Sequence, residues 1–331
     1  MAVCTDGDRQ FEGVSLRTRA LNRCFRSAAA FASVLVVAVS VGCSAGTGSA
    51  QPDAPPASSS APAQAGTNGP WKQVWSDEFN GQAGSSIDTR SWKFDTGQGV
   101  FGTDEVETMT AALPNVHLDG SGTLNLVALR NGAAWTSARV KTRSLFGAPA
   151  GGQMMVTASI RQPGPANALG YWPGFWMLGP GHWPATGEID IMEDVNGLSQ
   201  EAGTLHCGNL SEHNSDGTSG PCHEGTGIGS GLRDCAGCQQ GFHAYTVIID
   251  RRDAGNEQIR WYLDGREFFH IGESQVGQAV WAPAVDHGFS ILLSLAVGGS
   301  YPSNQCRCTT PDSQTSSGGT LAVHYVRVYT S

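Results

Sequence analysis

Residues 187–194 of the chain read Gly-Glu-Ile-Asp-Ile-Met-Glu-Asp, a run in which acidic and aliphatic residues alternate. Successive side chains of a β-strand point to opposite faces, so Glu188 and Asp190 share one face while the isoleucines point into a core. Strict alternation would place Glu193 on the aliphatic face, where burying a carboxylate is costly. One extra residue around positions 191–192, a β-bulge, would return Glu193 to the face of Glu188. The segment therefore predicts a bulged β-strand with its carboxylates on one face.

A row of carboxylates on one face is unfavourable in an ordinary strand, because like charges repel and each raises the pKa of its neighbour. The row suits cleavage of a glycosidic bond, which needs one ionised carboxylate near the anomeric carbon and one protonated carboxyl near the leaving oxygen. The Cα atoms of Glu188 and Glu193 would lie ~13 Å apart at ~3.3 Å per residue, so a concave sheet must bring their side chains together. An acidic strand edge that blocks edge pairing is the alternative. It does not account for the flanking Trp172, Trp176 and Trp183.

The remainder of the chain has the sequence pattern of a β-protein, in which short apolar runs are separated by turn-forming residues. From Trp71 onward, short β-branched or aromatic runs alternate with Gly, Pro, Asn and Asp. These runs include 123–128, 154–160, 244–249, 289–297 and 321–329. Asp264-Gly265 has the signature of a type I′ hairpin, and no long stretch shows a convincing helical period or an internal repeat. We therefore predict an all-β sandwich of two antiparallel sheets, formed as one domain by residues 70–331.

The composition excludes several classes of protein. Only 15% of the 331 residues are charged, against a usual ~25%, and 44 are glycine. That balance disfavours a helical bundle, a coiled coil or a disordered chain. The formal net charge is -9, and residues 51–331 contain no cluster of Lys and Arg that could neutralise phosphates, so a nucleic-acid partner is not expected. Nine Trp, six Tyr and twelve Phe supply a core and flat surfaces for sugar rings, which favours a neutral polymer as the partner.

The N-terminal segment predicts export. An apolar run of 14 residues, 28–41, follows an Arg-rich stretch and is too short to span a bilayer, as in a secretory signal. Cleavage at Cys43 would give a lipoprotein tethered to the membrane through that lipidated residue. Cleavage after Ala50 would release the protein, and a retained N-terminal anchor is a third alternative. We expect a leader over 1–43, a flexible Ser/Ala/Pro/Gly linker over 44–69, and an extracellular or cell-envelope location.

Six of the nine cysteines follow this leader. An even number in an exported chain favours disulfides. Pairing of Cys207 with Cys222 and within Cys235-x-x-Cys238 is favoured, although sequence alone does not fix the connectivity. The alternative is a zinc site built from Cys235-x-x-Cys238 and Cys306-x-Cys308, which needs thiolates that an oxidising compartment would not preserve.

Several motifs carry a resemblance to a known enzyme family. Tyr171-Trp-Pro-Gly-Phe-Trp-Met-Leu178 followed by Trp183-Pro-x-x-Gly-Glu-Ile-Asp-Ile-Met-Glu193 resembles the core signature of glycoside hydrolase family 16, the laminarinase-like group of endo-β-1,3-glucanases, in its bulged form. Further matches follow the family's order: Trp75-Ser-Asp-Glu-Phe-Asn80, Thr204-Leu-His206, Phe242-His243-x-Tyr245, Arg260-Trp-Tyr-x-Asp-Gly265, Leu295-Ala-Val-Gly-Gly299 and Tyr325-Val-Arg-Val-Tyr329. The resemblance covers about residues 71–331, and the carboxylate signature is its most specific part.

The resemblance implies a concanavalin-like β-jelly roll with the substrate lying across a concave cleft. It also implies Glu188 as the nucleophile, Glu193 as the general acid/base, and Asp190 as the carboxylate between them that assists proton placement. These roles agree with the shared face derived above. Glu193 must hold its proton near neutral pH, and its negative neighbours and partial desolvation raise its pKa as required.

The same resemblance implies substrate contacts by aromatic side chains. Trp183 is the first choice for a platform that stacks on a sugar ring, Trp172 is a second candidate, and Trp176 is assigned to the core. His206 would face the cleft near Glu193 as a hydrogen-bond donor, with a structural histidine as the alternative.

Two polar side chains and one metal position complete the expectations. Glu105 would contact sugar from a loop whose sequence differs from the family's, and Arg139 would donate to sugar hydroxyls or else form a surface ion pair. Many family members bind Ca²⁺ through the Glu of the Asp-Glu-Phe segment and an Asp before the final Tyr-Val-Arg-Val. Here Glu78 is present, but His324, a poor ligand for a hard cation, stands at the second position. We therefore expect no cofactor and no metal site, with a structural calcium ion as the alternative.

The predicted function is that of a monomeric, exported, retaining endo-glycosidase that hydrolyses β-1,3-glucan, since the bulged signature resembles laminarinases more than the unbulged lichenases. Tyr301 stands where several relatives have Trp, at the far end of the cleft. The alternatives are hydrolysis or transglycosylation of another β-linked glucan or a galactan, and a non-catalytic glucan-binding protein of the cell surface. A binding module needs tryptophan platforms but not the pair Glu188 and Glu193, which argues against the last alternative.

Overall fold

Two β-sheets form most of the chain that the structure, a computed structural model, describes: residues 70–100, 102–209 and 220–331. The strands are β1 (Lys72–Asp77), β2 (Trp92–Phe94), β3 (Gly97–Gln98), β4 (Glu107–Met109), β5 (Val116–Leu118), β6 (Leu124–Asn131), β7 (Ala134–Ser137), β8 (Arg139–Thr142), β9 (Gln153–Arg161), β10 (Tyr171–Leu178), β11 (Glu188–Glu193), β12 (Gln200–His206), β13 (Ile228–Gly229), β14 (Arg233–Asp234), β15 (His243–Asp250), β16 (Gln258–Leu263), β17 (Arg266–Gly272), β18 (Ser290–Val297) and β19 (Gly319–Thr330).

The larger sheet has 11 strands in the order β17-β16-β15-β9-β19-β6-β7-β4-β3, with β1 beside β19 and β5 beside β6. The smaller sheet has 8 strands in the order β13-β12-β11-β10-β18-β8-β2, with β14 beside β12. One pair of described strands, β4 with β7, is parallel; the pairs that build the centre of each sheet are antiparallel. The predicted all-β jelly-roll sandwich of two antiparallel sheets is confirmed.

The strands form where the sequence alternates. The five apolar runs noted above overlap β6, β9, β15, β18 and β19. Asp264 and Gly265 connect β16 to β17 with φ angles of 49° and 78°. Both central residues of a type I′ turn need positive φ, so the predicted hairpin is confirmed.

The hydrophobic core lies between the two sheets. Val247 of β15 and Val326 of β19 belong to it from the larger sheet, and Phe175 of β10 and Leu293 of β18 from the smaller. All four are fully buried, and burial of one such side chain contributes roughly 1.5–3 kcal/mol. The smaller sheet therefore has one face held in the core and leaves the other face for a cavity.

Three short helices were not predicted from the sequence. They are α1 (Glu273–Val276), α2 (Gln278–Val285) and α3 (Ser300–Cys306). The longest has 8 residues and contains Pro283, so no helical period is long enough to detect in the sequence. α3 follows β18 directly and begins beside the cleft, where Tyr301 contacts Trp172.

Three disulfides join the six cysteines that follow the leader: Cys207–Cys222, Cys235–Cys238 and Cys306–Cys308. The two pairings that the sequence favoured are confirmed. The zinc alternative is wrong, because the sulfurs of both candidate half-sites are joined in disulfides and are not free thiolates.

The N-terminal predictions concern residues that the structure does not describe. The expected leader, 1–43, and linker, 44–69, lie outside the described residues, and the bounds of the catalytic domain stay a prediction. Within the described part of the chain, no helix combines the length and the apolar character needed to cross a bilayer.

Candidate active site

A β-bulge at Ile191 shapes the strand that carries the carboxylates. β10 pairs with the residues on either side of Ile191 and skips it, because Trp176 opposes Asp190 while Phe175 opposes Met192. The bulge predicted around 191–192 is therefore confirmed. Because of the bulge, the consecutive residues Ile191 and Met192 both lie in the core, and the next residue, Glu193, returns to the cavity face.

The bulge places the carboxylates as the sequence predicted. Glu188, Asp190 and Glu193 all line one cavity of 570 Å³. Ile189 and Ile191 are buried in the core on the opposite face of the strand. A single face of β11 therefore presents the acidic groups to a space large enough for part of a polymer chain.

The neighbouring strand β10 forms the floor of this cavity. Trp172, Gly174, Trp176 and Leu178 line it at every second position, while the residues between Gly174 and Leu178 on the other face, Phe175 and Met177, are in the core. Trp176 was assigned to the core and is 7% exposed, yet its ring lines the cavity as well. Side chains therefore alternate between the cavity and the core along β10, as the sequence predicted for β11.

His206 lies close to two of the carboxylates. Its Nε2 is 3.3 Å from Asp190 Oδ2 and 3.8 Å from Glu188 Oε1. We expected a position near Glu193, but the register of β11 with β12 sets His206 opposite Glu188. The ring of Trp183 is centred 5.5 Å from the imidazole, and Trp183 is 42% exposed at the edge of the cavity. An open indole face beside the carboxylates can accept a sugar ring.

Burial raises the pKa of Glu188, Asp190 and Glu193, because each carboxylate loses hydration in the cavity wall. Asp190 raises the pKa of both glutamates further. Interaction with His206 and Arg139 lowers the pKa of Glu188. A hydrogen bond from Trp172 and interaction with His206 lower the pKa of Glu193. The pKa of each glutamate is raised to about 8, so burial does not distinguish the nucleophile from the acid. Carboxyl groups this close retain at least one proton near neutral pH.

Indole groups fix the carboxylate strand from two sides. Trp172 donates its Nε1–H to Glu193 Oε1 at 2.7 Å. From the core side, Trp261 donates its Nε1–H to the backbone oxygen of Asp190 at 2.7 Å. Sequence analysis did not assign either contact, because the partners are 21 and 71 positions apart and their proximity depends on strand register.

Arg139 and Glu105 lie on the side of the cavity opposite β12. Arg139 lines the cavity, and its Nε is 3.2 Å from Asp95 Oδ2. Glu105 accepts hydrogen bonds from the backbone N–H and the hydroxyl of Thr103, each at 3.0 Å. Thr103 lines the cavity, so Glu105 supports the loop that closes this side. Direct sugar contacts by Arg139 and Glu105 stay predictions.

The calcium position implied by the resemblance does not fit a metal ion. Both carboxylate oxygens of Glu78 accept hydrogen bonds from Arg327, at 2.8 and 2.7 Å. The ring of His324 stacks on Phe242 with 3.5 Å between centroids. A guanidinium and a stacked imidazole occupy the place of hard oxygen ligands.

Among the residues that the structure describes, two other groups of side chains have the composition of metal ligands. Glu188, Asp190 and His206 form one, and Cys235, Cys238 and His243 form the other. In the second group the sulfurs are joined in a disulfide. In the first group, Glu188 and Asp190 line the cavity, and His206 lies beside them.

A row of carboxylates beside an aromatic cavity is the arrangement that hydrolysis of an O-glycosyl bond needs. Comparison with known proteins places the chain in that class of enzymes, the glycosidases. The model of the XgeA-like catalytic GH16 domain matches residues 128–243, a range that contains the whole of β11. The chain belongs to glycoside hydrolase family 16.

Solved and curated relatives cover most of this chain. The solved endo-1,3-beta-glucanase from Streptomyces sioyaensis is 39% identical with a TM-score of 0.72, over 80% of this chain and 99% of that one. The laminarinase from Rhodothermus marinus is 30% identical with a TM-score of 0.62, over 78% and 97% of the two chains. The curated glucan endo-1,3-beta-glucosidase A1 from Niallia circulans is 27% identical over 296 residues, which are 81% of this chain and 38% of that relative's own length.

Proposed function

We propose that the protein is a retaining, endo-acting hydrolase of β-1,3-glucan. The observation that carries the proposal is the Ile191 bulge, which puts Glu188 and Glu193 on one face of β11 and into one cavity. The printed activities of its relatives support β-1,3-glucan as the substrate. Hydrolysis of internal bonds of a polymer is the activity for which these relatives are named.

In the first step, Glu188 acts as the nucleophile. A carboxylate oxygen of Glu188 attacks the anomeric carbon while the glycosidic C–O bond breaks and Glu193 transfers its proton to the leaving oxygen. His206 and Arg139 favour the ionised form of Glu188 and oppose the effect of burial on its pKa. Burial and the neighbouring Asp190 favour the protonated form of both glutamates, so the assignment of the acid role to Glu193 follows the order of the family signature.

In the second step, the ester between Glu188 and the sugar is hydrolysed. Glu193, now ionised, accepts a proton from water as the water oxygen attacks the anomeric carbon from the face that the leaving group vacated. Glu188 leaves as a carboxylate, and the two inversions give a product of retained configuration. Asp190 lies between the two glutamates and next to His206, so it can hold charge or a proton as Glu193 changes state.

Substrate specificity follows from the cavity walls. The exposed ring of Trp183 and the indole edge of Trp172 are the proposed sugar contacts, with Arg139 and His206 as donors to hydroxyls. Hydrolysis or transfer on another β-linked glucan or a galactan, and non-catalytic glucan binding, are the outcomes that the assay must distinguish.

The test compares substrates and matched variants. Wild type, Glu188→Gln and the control Glu267→Gln are incubated with laminarin, lichenan, galactan and agarose, and released oligosaccharides are measured. We expect laminarin to be cut by wild type and control, with a loss of at least about a thousandfold for Glu188→Gln. Glu267 is a suitable control because it lies on β17, in the other sheet. No release from any polymer, with retention on a glucan column, would instead establish a binding protein.

The stereochemistry of the product provides a second, independent test. Proton NMR of the first product should show the β-anomer before mutarotation, because retention requires a covalent intermediate on Glu188. An initial α-anomer would mean direct attack by water and would overturn the nucleophile assignment. Addition of acceptor oligosaccharides would reveal glycosyl transfer as products longer than the donor.

We also propose export of the protein through its N-terminal leader. The 28–41 apolar run and the small residues around Cys43 support this proposal. Release of protein by a lipase, or its loss from the membrane fraction in a Cys43→Ala variant, would indicate a lipid tether. Sedimentation of the secreted domain tests the expected monomer.

A further inference from the structure

The indole of Trp172 contacts Glu193 in a way that the proposed catalytic cycle can use. Trp172 Nε1–H donates to Glu193 Oε1 at 2.7 Å, a short hydrogen bond. Gly174, two residues further along β10, is the cross-strand partner of Glu193. Trp172 and Glu193 are therefore diagonal neighbours on the cavity face, a spacing that a long aromatic side chain can bridge.

Gly174, which also lines the cavity, lies against Ser294 and Trp176. A Cβ atom at Gly174 would lie 3.1 Å from Ser294 Oγ and 3.2 Å from Trp176 Cδ1, which is tighter than ordinary contact. A side chain at position 174 would therefore press on Ser294 and Trp176 on the cavity floor.

The ring of Trp172 is itself held in place from the far side. Tyr301 meets it edge to face, with 5.6 Å between ring centroids and 81° between the planes. The backbone of Gly299 passes so close that a Cβ there would lie 3.3 Å from Trp172 Cζ3, and its φ of +98° favours glycine. The indole N–H thus has a fixed position from which to donate.

We propose that Trp172, held by Tyr301 and Gly299, is a positioning residue that fixes the carboxyl of Glu193 and assigns its catalytic proton to Oε2. An N–H group donates to an acceptor lone pair, so in the protonated carboxyl Oε1 is the carbonyl-type oxygen and Oε2 carries the hydrogen. Oε2 is then the atom that gives its proton to the leaving oxygen. This inference rests on Glu193 being the acid/base of the proposed function.

The same hydrogen bond acts in the second half of the reaction. After proton transfer Glu193 is ionised, and the indole N–H stabilises the negative charge on Oε1 while Oε2 accepts the proton of the attacking water. Donation to the charged form lowers the pKa of Glu193 and opposes the effect of burial. Removing the donor should therefore raise that pKa, a direction that general damage to the site does not predict.

The test uses Trp172→Phe, which keeps an aromatic ring and removes the donor. kcat/KM is measured on laminarin and on a series of aryl β-laminaribiosides whose leaving groups range from phenol to dinitrophenol. A good leaving group departs without a proton, so only poor ones depend on a correctly placed acid. We expect about a tenfold loss on laminarin and on the phenyl glycoside, and little change on the dinitrophenyl glycoside. The alkaline limb of kcat/KM should move up by about one pH unit.

The matched control is Trp92→Phe. Trp92 also donates its indole N–H to a carboxylate, Asp77 Oδ2 at 2.8 Å, but it is buried in the core. This variant should keep the leaving-group dependence and the pH profile of wild type whatever happens to its melting temperature. If Trp92→Phe also changed the leaving-group dependence and the pH profile, loss of any indole donor would have this effect and the inference would be overturned.

A third variant separates failure of this inference from failure of the proposed function. Glu193→Ala should lose activity on poor leaving groups far more than on good ones, and azide should restore turnover of the dinitrophenyl glycoside. If it does not, the acid/base role of Glu193 itself is wrong. If it does, but Trp172→Phe loses activity equally on every leaving group, Trp172 only binds sugar and the inference is overturned.

Should Trp172→Phe fail to fold, Tyr301→Leu provides a second test. It removes the edge contact and keeps the donor, and it should show the same selective loss to a smaller extent.

Discussion

The guanidinium of Arg139 lies 4.7 Å from the centre of the Trp176 ring, on the floor of the cavity. It is 6% exposed and also pairs with Asp95, so its charge has a fixed position near Glu188. A buried cation at a fixed position can set the ionisation of a nearby nucleophile.

Replacing Arg139 by Met should therefore change the pH dependence of the reaction. Arg139 lowers the pKa of Glu188, so its loss raises that pKa, and the acid limb of kcat/KM should move to higher pH. The control is Lys141→Met, because Lys141 pairs with the same Asp95 at 3.0 Å. If kcat/KM falls but the acid limb stays at the same pH, Arg139 contacts the sugar and does not set the pKa of Glu188.

Deleting Ile191 should leave the enzyme active, because it removes the extra residue that the bulge accommodates. In the shortened run Glu-Ile-Asp-Met-Glu, strict alternation keeps all three carboxylates on the cavity face and Met192 in the core. Ile191→Val keeps the backbone length and should cost only about 1 kcal/mol of stability with activity within about twofold of wild type. Melting curves and laminarin turnover of both variants provide the measurement. A deletion variant that folds but no longer cuts laminarin would contradict the view that the bulge only returns Glu193 to the cavity face.

The alkaline limb of wild-type activity should report Glu193. Burial and then Asp190 raise the pKa of both Glu188 and Glu193 to about 8, so the pair shares protons at neutral pH and kcat/KM should fall as Glu193 loses its proton above about pH 8. Asp190→Asn removes a negative neighbour and should shift the limb to lower pH. A limb that stays in place would show that another group controls it.

Glu201 should make the folded state less stable at high pH. It is buried, neither carboxyl oxygen has a hydrogen-bond partner among the described residues, and burial raises its pKa to about 9. The native state therefore binds a proton that the unfolded chain releases above its usual pKa of 4.5. This contribution to stability is complete below that value and is lost as pH rises toward about 9. Melting temperatures from pH 5 to 9 should fall less steeply for Glu201→Gln than for wild type, whereas the exposed Glu267→Gln should follow wild type.

The parts of the fold that the sequence predicted are those set by local rules. The Asp264-Gly265 turn is specified by two residues, and the strand periods by neighbours two positions apart. The bulge could be predicted because the alternative placed Glu193 among aliphatic side chains. Each of these inferences compares two local conformations that differ in free energy by a large margin.

The contacts that the sequence did not predict depend on register between distant segments. Trp172 and Trp176 are four positions apart on one strand, and both were considered as sugar contacts or core, but their partners come from other elements. The position of His206 was expected near Glu193, and the actual pairing of β11 with β12 brings it to Glu188 instead. A one-residue difference in pairing redirects every side chain of a strand, and no feature of a single sequence fixes that pairing in advance.

The unpaired residue at position 191 also has a genetic consequence. Exchanges that keep an apolar side chain there would pass unnoticed in a mutational screen. Loss of that codon in frame would also leave every carboxylate on the same face, because the shortened strand alternates without a bulge. Strands of either length at this point therefore present the same three acidic groups to a substrate.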